Sequence, residues 1–307
     1  MIDSSSCGAL LTRLTPYEKV ACSIHLSLRR HPIKLENRCK VRIYRNENTR
    51  EHSKKQWNWP CLVSHLPTHV SKMADSTAKY LDSSSVAPDY AEIIVVRHGE
   101  TAWNADGRIQ GHLDVELNEV GRQQAAAVAD RLSKESKIAA VYSSDLKRAL
   151  ETAQIIASRC GPLEVIEDYE LRERHLGDLQ GSVLREAAKV KPKAYEAFIS
   201  ARTDQELPGG GESIDQLHQR CTSTLQRIGG KHKGDRVVVV THGGVIRRLY
   251  KRAVPKGKSP GKILNTSVNV FHLSDGEDWN LHTWGDVSHL SKTGFLETGF
   301  GGDKTSG

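Results

Sequence analysis

Two histidines in this 307-residue chain stand at the same kind of junction. His98 follows Ile93-Ile94-Val95-Val96-Arg97 and precedes Gly99, and His242 follows Val237-Val238-Val239-Val240-Thr241 and precedes Gly243. Each apolar, β-branched run reads as a strand covered on both faces, which has no need to alternate polar with apolar residues. Each therefore sets an imidazole and a glycine where a strand leaves its sheet, the place where open α/β sheets bind their ligands. Gly99 would let backbone pass close to a bound group, having no Cβ. Arg97 adds a cation at the first junction. A second cation, Arg148, falls in the first turn of a helix that Asp145 would cap, where the helix dipole favours anions. A guanidinium and a helix N-terminus aimed at one bound anion account for that placement better than a solvated surface Arg does. Core packing alone is a poor account of two strand-His-Gly junctions in one chain.

The elements that must position these groups follow from periodicity. Strands are predicted near 93–96, 138–142, 163–166, 237–240, 268–273 and 279–284. A helix begins at Asn118, a good capping residue, with Ala125, Val128, Ala129 and Leu132 on one face. The helix after Asp145 buries Leu146, Ala149, Ala153 and Ile156. A third starts at Ser213, which forms a capping box with Gln216 and leads the stripe Ile214, Leu217, Cys221, Leu225 and Ile228. Residues 104–116 make a polar loop with Gly107 and Gly111 as turn points, and Pro208-Gly209-Gly210-Gly211 punctuates the chain ahead of Ser213. Strands alternating with amphipathic helices point to an α/β domain.

The string Arg97-His98-Gly99-Glu100-Thr101-Ala102-Trp103-Asn104 resembles the opening signature of the histidine phosphatase superfamily, which includes the cofactor-dependent phosphoglycerate mutases. Three further stretches resemble its other signatures in the family's order: Ser144-Asp145-Leu146-Lys147-Arg148-Ala149 through Ala153, Leu171 through Gly181 around Glu173, and Thr241-His242-Gly243. The resemblance spans about 93–284. It implies a three-layer α/β/α sandwich with a mixed, mostly parallel sheet. It implies that His98 becomes phosphorylated, that Glu173 donates the proton, and that Arg97 and Arg148, with His242 as a third donor and Asn104 as a neutral fourth, hold the phosphate together with Gly243. Phosphoryl transfer is mostly positioning and electrostatic stabilisation, and forked guanidiniums suit the oxygens of a phosphate. His98 must be neutral to attack phosphorus, and nearby cations push its pKa in that direction.

The activity so implied is hydrolysis of a small phosphorylated metabolite, of the histidine acid phosphatase type and without a cofactor. The runner-up is a phosphoglycerate mutase, an isomerase that returns the phosphoryl group to another oxygen. The interval from Glu173 to His242 spans 69 positions and resembles the family's shorter, phosphatase-like branch. A non-catalytic phosphate-binding or partner-binding protein is disfavoured by the intact set of polar residues. No metal is expected, because no carboxylates cluster at metal spacing and no cysteines stand as Cys-x-x-Cys.

Charge divides the chain. Residues 1–72 hold 13 Lys and Arg against 5 Asp and Glu, and the remainder holds 31 against 32. The net charge of +7 therefore belongs to the leader and says nothing of a nucleic-acid partner for the body; Trp57 and Trp59 are the leader's only tryptophans. Residues 1–88 read as a basic extension, disordered, a transit peptide, or lying upstream of a usual start at Met73, and residues 291–307 as a Gly-rich tail. The domain would then be 89–290. Cys160 and Cys221 are its only cysteines, which suits a reducing compartment. No apolar run reaches the ~18–20 residues of a membrane span. The expected location is cytoplasmic, or plastid if the leader is a transit peptide, and a monomer and a homodimer both fit.

Overall fold

The computed structural model describes residues 86–87, 89–135, 137–274 and 278–291. The basic leader and the Gly-rich tail, apart from a few residues, lie outside them. The six strands β1 (Tyr90–Arg97), β2 (Ala140–Ser143), β3 (Val165–Glu167), β4 (Arg236–Thr241), β5 (Val268–Ser274) and β6 (Trp279–Asp286) form one sheet in the order β3-β2-β4-β1-β5-β6. β3, β2, β4 and β1 run parallel, β5 is antiparallel to β1, and β6 is antiparallel to β5. The expected mixed, mostly parallel sheet is present.

Helices cover both faces, and the strand residues divide between them. Ile93, Val95, Val237 and Val239 pack beneath α6 (Ile214–Lys231) and α7 (Gly243–Ala253), against Leu217, Leu225, Val245 and Leu249. Ile94, Val96, Val238 and Val240 point the other way, against α2 (Glu119–Leu132) and α3 (Lys147–Cys160) through Val128, Leu132, Ala149, Ala153 and Ile156. Alternate residues of one strand face opposite layers, so both must be apolar. Each fully buried Ile or Val contributes about 1.5–3 kcal/mol. These two layers hold β1 and β4 side by side, and the register Arg97↔Thr241 fixes where the strands end.

The structure departs from expectation in four places. β2 begins at Ala140, two residues late, and β3 is only three residues long and half exposed. Asp145 does not cap α3. Leu146 occupies that position without a side-chain bond, and the Asp114 carboxylate reaches in from the 104–116 loop to accept the Lys147 amide at 2.7 Å. Asp145 instead receives Arg172 bidentately, at 2.7 and 2.5 Å. Two short helices, α4 (Leu184–Val190) and α5 (Pro192–Ile199), were not legible. They build a third apolar cluster in which Ala187, Ala194 and Phe198 meet Ile109, Leu176 and Leu179. Finally, a four-residue helix, α1 (Ala102–Ala105), interrupts the loop after His98, capped by Thr101.

Candidate active site

Because β1 and β4 are parallel neighbours in register, His98 and His242 leave the sheet together. Their ring centroids lie 5.1 Å apart, and the residues are 2 % and 0 % exposed. The His98 amide donates to the Thr241 carbonyl at 2.9 Å, and its own carbonyl accepts from Asn265 Nδ2 at 3.0 Å. Its Nδ1 lies 2.7 Å from the Gly99 carbonyl. A carbonyl only accepts, so Nδ1 carries the ring proton and Nε2 is left with its lone pair. Burial holds the His98 pKa well below the ordinary histidine value, and the charges of Arg148 and Arg97 lower it further. The ring is neutral.

Gly99 plays a part other than the one expected. A Cβ there would lie 2.5 Å from the backbone oxygen of Gly121 in α2, so the glycine admits a helix and not a ligand. Gly121 answers it, since a Cβ on that residue would meet the Glu100 oxygen at 2.0 Å. The paired glycines let α2 press against the backbone just past His98. The Gly99 amide meanwhile donates to Thr152 of α3 at 3.1 Å.

The other expected residues converge on the same end of the sheet. Arg148 is 1 % exposed. Its two terminal nitrogens donate to the carbonyls of Gly111 and Leu113 at 2.8 and 2.9 Å, and its buried Nε has no hydrogen-bond partner among the described residues. Burial lowers its pKa to about 10, with Glu173 and Asp114 countering, so it remains a cation at neutral pH. Arg97 is buried and donates to the Ile263 carbonyl at 2.6 Å. Asn104 is also buried, but its carbonyl oxygen closes the capping box with the Thr101 amide at 3.1 Å. The expected neutral phosphate donor thus also serves the fold.

His242 is the N-cap residue of α7, and Gly243 opens that helix. The ring Nε2 lies 2.9 Å from Ser144 Oγ, and the buried Nδ1 has no hydrogen-bond partner among the described residues. Burial pushes the His242 pKa well below the usual value, with Arg148 and then His98 reinforcing it. Glu173, 8 % exposed, is clasped by two amides: Arg174 N–H donates to Oε1 at 2.9 Å, and Gly244 N–H, in the first turn of α7, donates to Oε2 at 3.0 Å. One helix start therefore serves both the second histidine and the carboxylate.

Several contributors escaped the sequence reading. Arg220 on α6 spends all five N–H donors on the Glu173 loop and its support: the carbonyls of Glu170, Arg172 and Glu173 and both oxygens of Glu212, at 2.6–2.9 Å. His112 donates from Nε2 to the Glu173 carbonyl at 2.7 Å, and burial lowers its pKa to about 4. Ser144 backs His242. Arg220 sits among other polar residues of an amphipathic helix, and His112 in a loop without periodicity, so neither spacing nor pattern marks them. Ser144, Asp145 and Arg172 lie inside the stretches that resemble the signatures, and that membership was the available signal. Among the described residues, no three His, Cys, Asp or Glu side chains group as metal ligands.

Residues 93–287 match the model of the histidine phosphatase superfamily, branch 1. The chain is 69% identical over 226 residues to phosphoglycerate mutase-like protein 4 of Arabidopsis thaliana, covering 74% of this chain and 97% of the relative. It is 54% identical over 230 residues to the metal-independent phosphoserine phosphatase of the same plant, covering 75% and 96%. The phosphoserine phosphatase of Entamoeba histolytica, solved with 3-phosphoglyceric acid, superposes with a TM-score of 0.56 at 29% identity, over 65% of this chain and 99% of that one. With that model matching well over half of its length, the chain belongs to the histidine phosphatase superfamily, branch 1.

Proposed function

We propose that the chain hydrolyses a small phosphomonoester that also carries a carboxylate, through a phosphohistidine at His98. The coarser statement is plain: it is an enzyme that cleaves phosphate esters, and its substrates are small phosphorylated metabolites. The observation that carries the mechanism is a neutral, buried His98 with Nε2 unprotonated beside two buried polar atoms without partners among the described residues, Arg148 Nε and His242 Nδ1.

In the reading proposed here, His98 Nε2 attacks phosphorus as the ester P–O bond breaks. Arg97, Arg148 and His242 take the non-bridging oxygens as charge spreads over them. Ser144 accepts the Leu146 amide at 3.3 Å and lies 2.9 Å from His242 Nε2; in this reading its hydroxyl donates to Nε2, which leaves the ring proton on Nδ1 and makes that atom a donor. Glu173 gives its proton to the leaving oxygen. It then takes one from the water that attacks the phosphohistidine, so that the P–N bond breaks and phosphate and His98 are regenerated.

The choice of substrate rests on likeness. One relative is named for phosphoserine, and a solved neighbour of that name holds 3-phosphoglyceric acid; both molecules pair a phosphate ester with a carboxylate. The mutase reading draws on the name of the 69%-identical relative. Against it, the Glu173–His242 interval is short, 69 positions, and holds no adjacent arginine pair. The test is to supply phosphoserine and 3-phosphoglycerate separately, the latter with a priming amount of 2,3-bisphosphoglycerate, and follow free phosphate and 2-phosphoglycerate together. Phosphate release without interconversion is expected. Interconversion far faster than phosphate release would overturn the phosphatase reading.

A further inference from the structure

The chain between α7 and β5 passes within hydrogen-bonding reach of three site residues. The Arg97 guanidinium donates to the Ile263 carbonyl at 2.6 Å, and the Thr266 amide donates to the Arg97 carbonyl at 3.0 Å. Between those ties stands Asn265, 4 % exposed. Its Nδ2 serves two contacts, the His98 carbonyl at 3.0 Å and Asn104 Oδ1 at 3.4 Å. A side-chain amide carries two N–H donors and both partners accept, so one group satisfies both.

Thr266 holds this turn in an uncommon shape. Among the described residues it alone, glycines aside, has a left-handed backbone, with φ 53°. A β-branched residue is an outlier there, and such strain persists only where the surroundings over-determine it. Here they do. Thr266 is wholly buried, its hydroxyl donates to the Asn265 carbonyl at 2.8 Å, and His289 Nε2 lies 3.2 Å from the same oxygen. The hydroxyl proton is engaged on Asn265, so His289 is the donor in that second pair. Asn269, also buried, ties down the residues beyond by donating to the carbonyls of Val95 and Ser267 at 3.2 and 3.3 Å.

What the turn secures is the peptide that joins His98 to Gly99. Its oxygen accepts from Asn265 and its N–H donates to Thr152 at 3.1 Å, so both ends of the plane are pinned. The next carbonyl, that of Gly99, carries His98 Nδ1. Glycine restrains its neighbouring peptides less than any other residue, so the pins and not the chain set that plane. With Asn265 removed, the plane is free to tilt and the imidazole tilts with it. A misplacement of ~1 Å can cost on the order of 10²-fold in rate. We propose that Asn265 is a positioning residue for the reaction: it joins the backbone of His98 to the side chain of Asn104 so that Nε2 faces the phosphorus, and the strained Thr266 turn presents it. This role rests on a phosphohistidine forming at His98.

Kinetics of Asn265→Ala in the full chain test it, because a positioning fault and a folding fault move different readouts. Turnover of phosphoserine should fall roughly 10–100-fold in kcat, with KM little changed. Calorimetric titration with inorganic phosphate should count as many competent sites per chain as in the unaltered protein. A drop in that count matching the drop in kcat would make Asn265 a structural residue and overturn the role. Should Asn265→Ala lose its circular dichroism signal, Asn265→Ser is measured in its place, with a smaller loss of kcat expected at the same site count. Thr266→Gly against Thr266→Val tests the turn. Both lose the hydroxyl, but only glycine takes a positive φ freely, so Thr266→Val should lose more of kcat. Equal losses would overturn the part given to the strain. Labelled phosphoserine, quenched in base, separates this role from the mechanism beneath it. Label on His98 of the unaltered chain is expected, and its absence would overturn both. Label there, with kcat of Asn265→Ala undiminished, would overturn the positioning role alone.

Discussion

The two strand-His-Gly junctions look alike in sequence and differ in the backbone that leads away from them. After His98 the chain enters a loop with only the four-residue α1, wedged against α2 by the Gly99–Gly121 contact. That loop fixes the ring through its proximal nitrogen, with Nδ1 on the Gly99 carbonyl and Nε2 left with its lone pair. After His242 the chain goes straight into the eleven-residue α7. There the ring is held by its far nitrogen on Ser144, and Nδ1 remains. On the proposed mechanism one backbone makes a nucleophile and the other a donor, from the same residue at the same carboxyl end of two central strands. Which nitrogen the surroundings hold decides the role.

Substitution should separate the pair. His98→Ala removes the atom that bonds to phosphorus, so steady-state phosphate release should vanish. His242→Ala removes one donor to the transition state and should lower kcat by about 10²–10³-fold while still forming a phosphoenzyme. Equal, complete loss in both would break the distinction. Glu173→Gln should lose about 10²–10⁴-fold on alkyl phosphates, and much less on nitrophenyl phosphate, whose leaving group departs without a proton. A loss independent of leaving group would remove Glu173 from the acid role.

Acidification acts on both rings alike. Each is neutral in the fold with its pKa well below 6.5, whereas the unfolded chain protonates them near 6.5. Below that pH the unfolded state binds more protons, so stability is full above pH 6.5 and declines as pH falls beneath it. Urea unfolding at pH 7 and pH 5 should show this decline, and His98→Gln should make it shallower. A stability that rises on acidification would contradict the buried, neutral rings. Activity should persist below pH 6.5 for the same reason. The smallest effect is expected of Ser144→Ala, which removes one hydrogen bond to His242: about 1 kcal/mol, or roughly five- to tenfold in kcat, with KM little changed. A change confined to KM would place Ser144 in binding only.

How much of this was legible depends on the range of the signal. The buried strands, the Asn118 and Ser213 caps and the two histidine junctions are local patterns, and the structure places them where periodicity and capping chemistry put them. Asp145 was misread because capping was judged from neighbours in sequence. The cap of α3 comes from Asp114, 33 positions before Lys147, and Asp145 is drawn off by Arg172, 27 positions later. The helices α4 and α5 are short, and their buried faces are mostly alanine, which carries little periodic contrast. Arg220 was missed for a like reason: its partners lie eight to fifty residues away, and a polar helix position gives no hint of them. Gly99 was recognised as a place of close approach, but only the fold shows that the approaching group is Gly121.

The central claim is the identity of one atom, His98 Nε2. The direct test is to mix the enzyme with labelled substrate, quench in base within the first turnover, and locate the label by peptide mapping and by the position of phosphorylation on the imidazole. The account predicts transient label on His98 alone, attached at Nε2, with none in His98→Ala. Label on His242, label at Nδ1 of His98, or turnover with no phosphohistidine at all would contradict it.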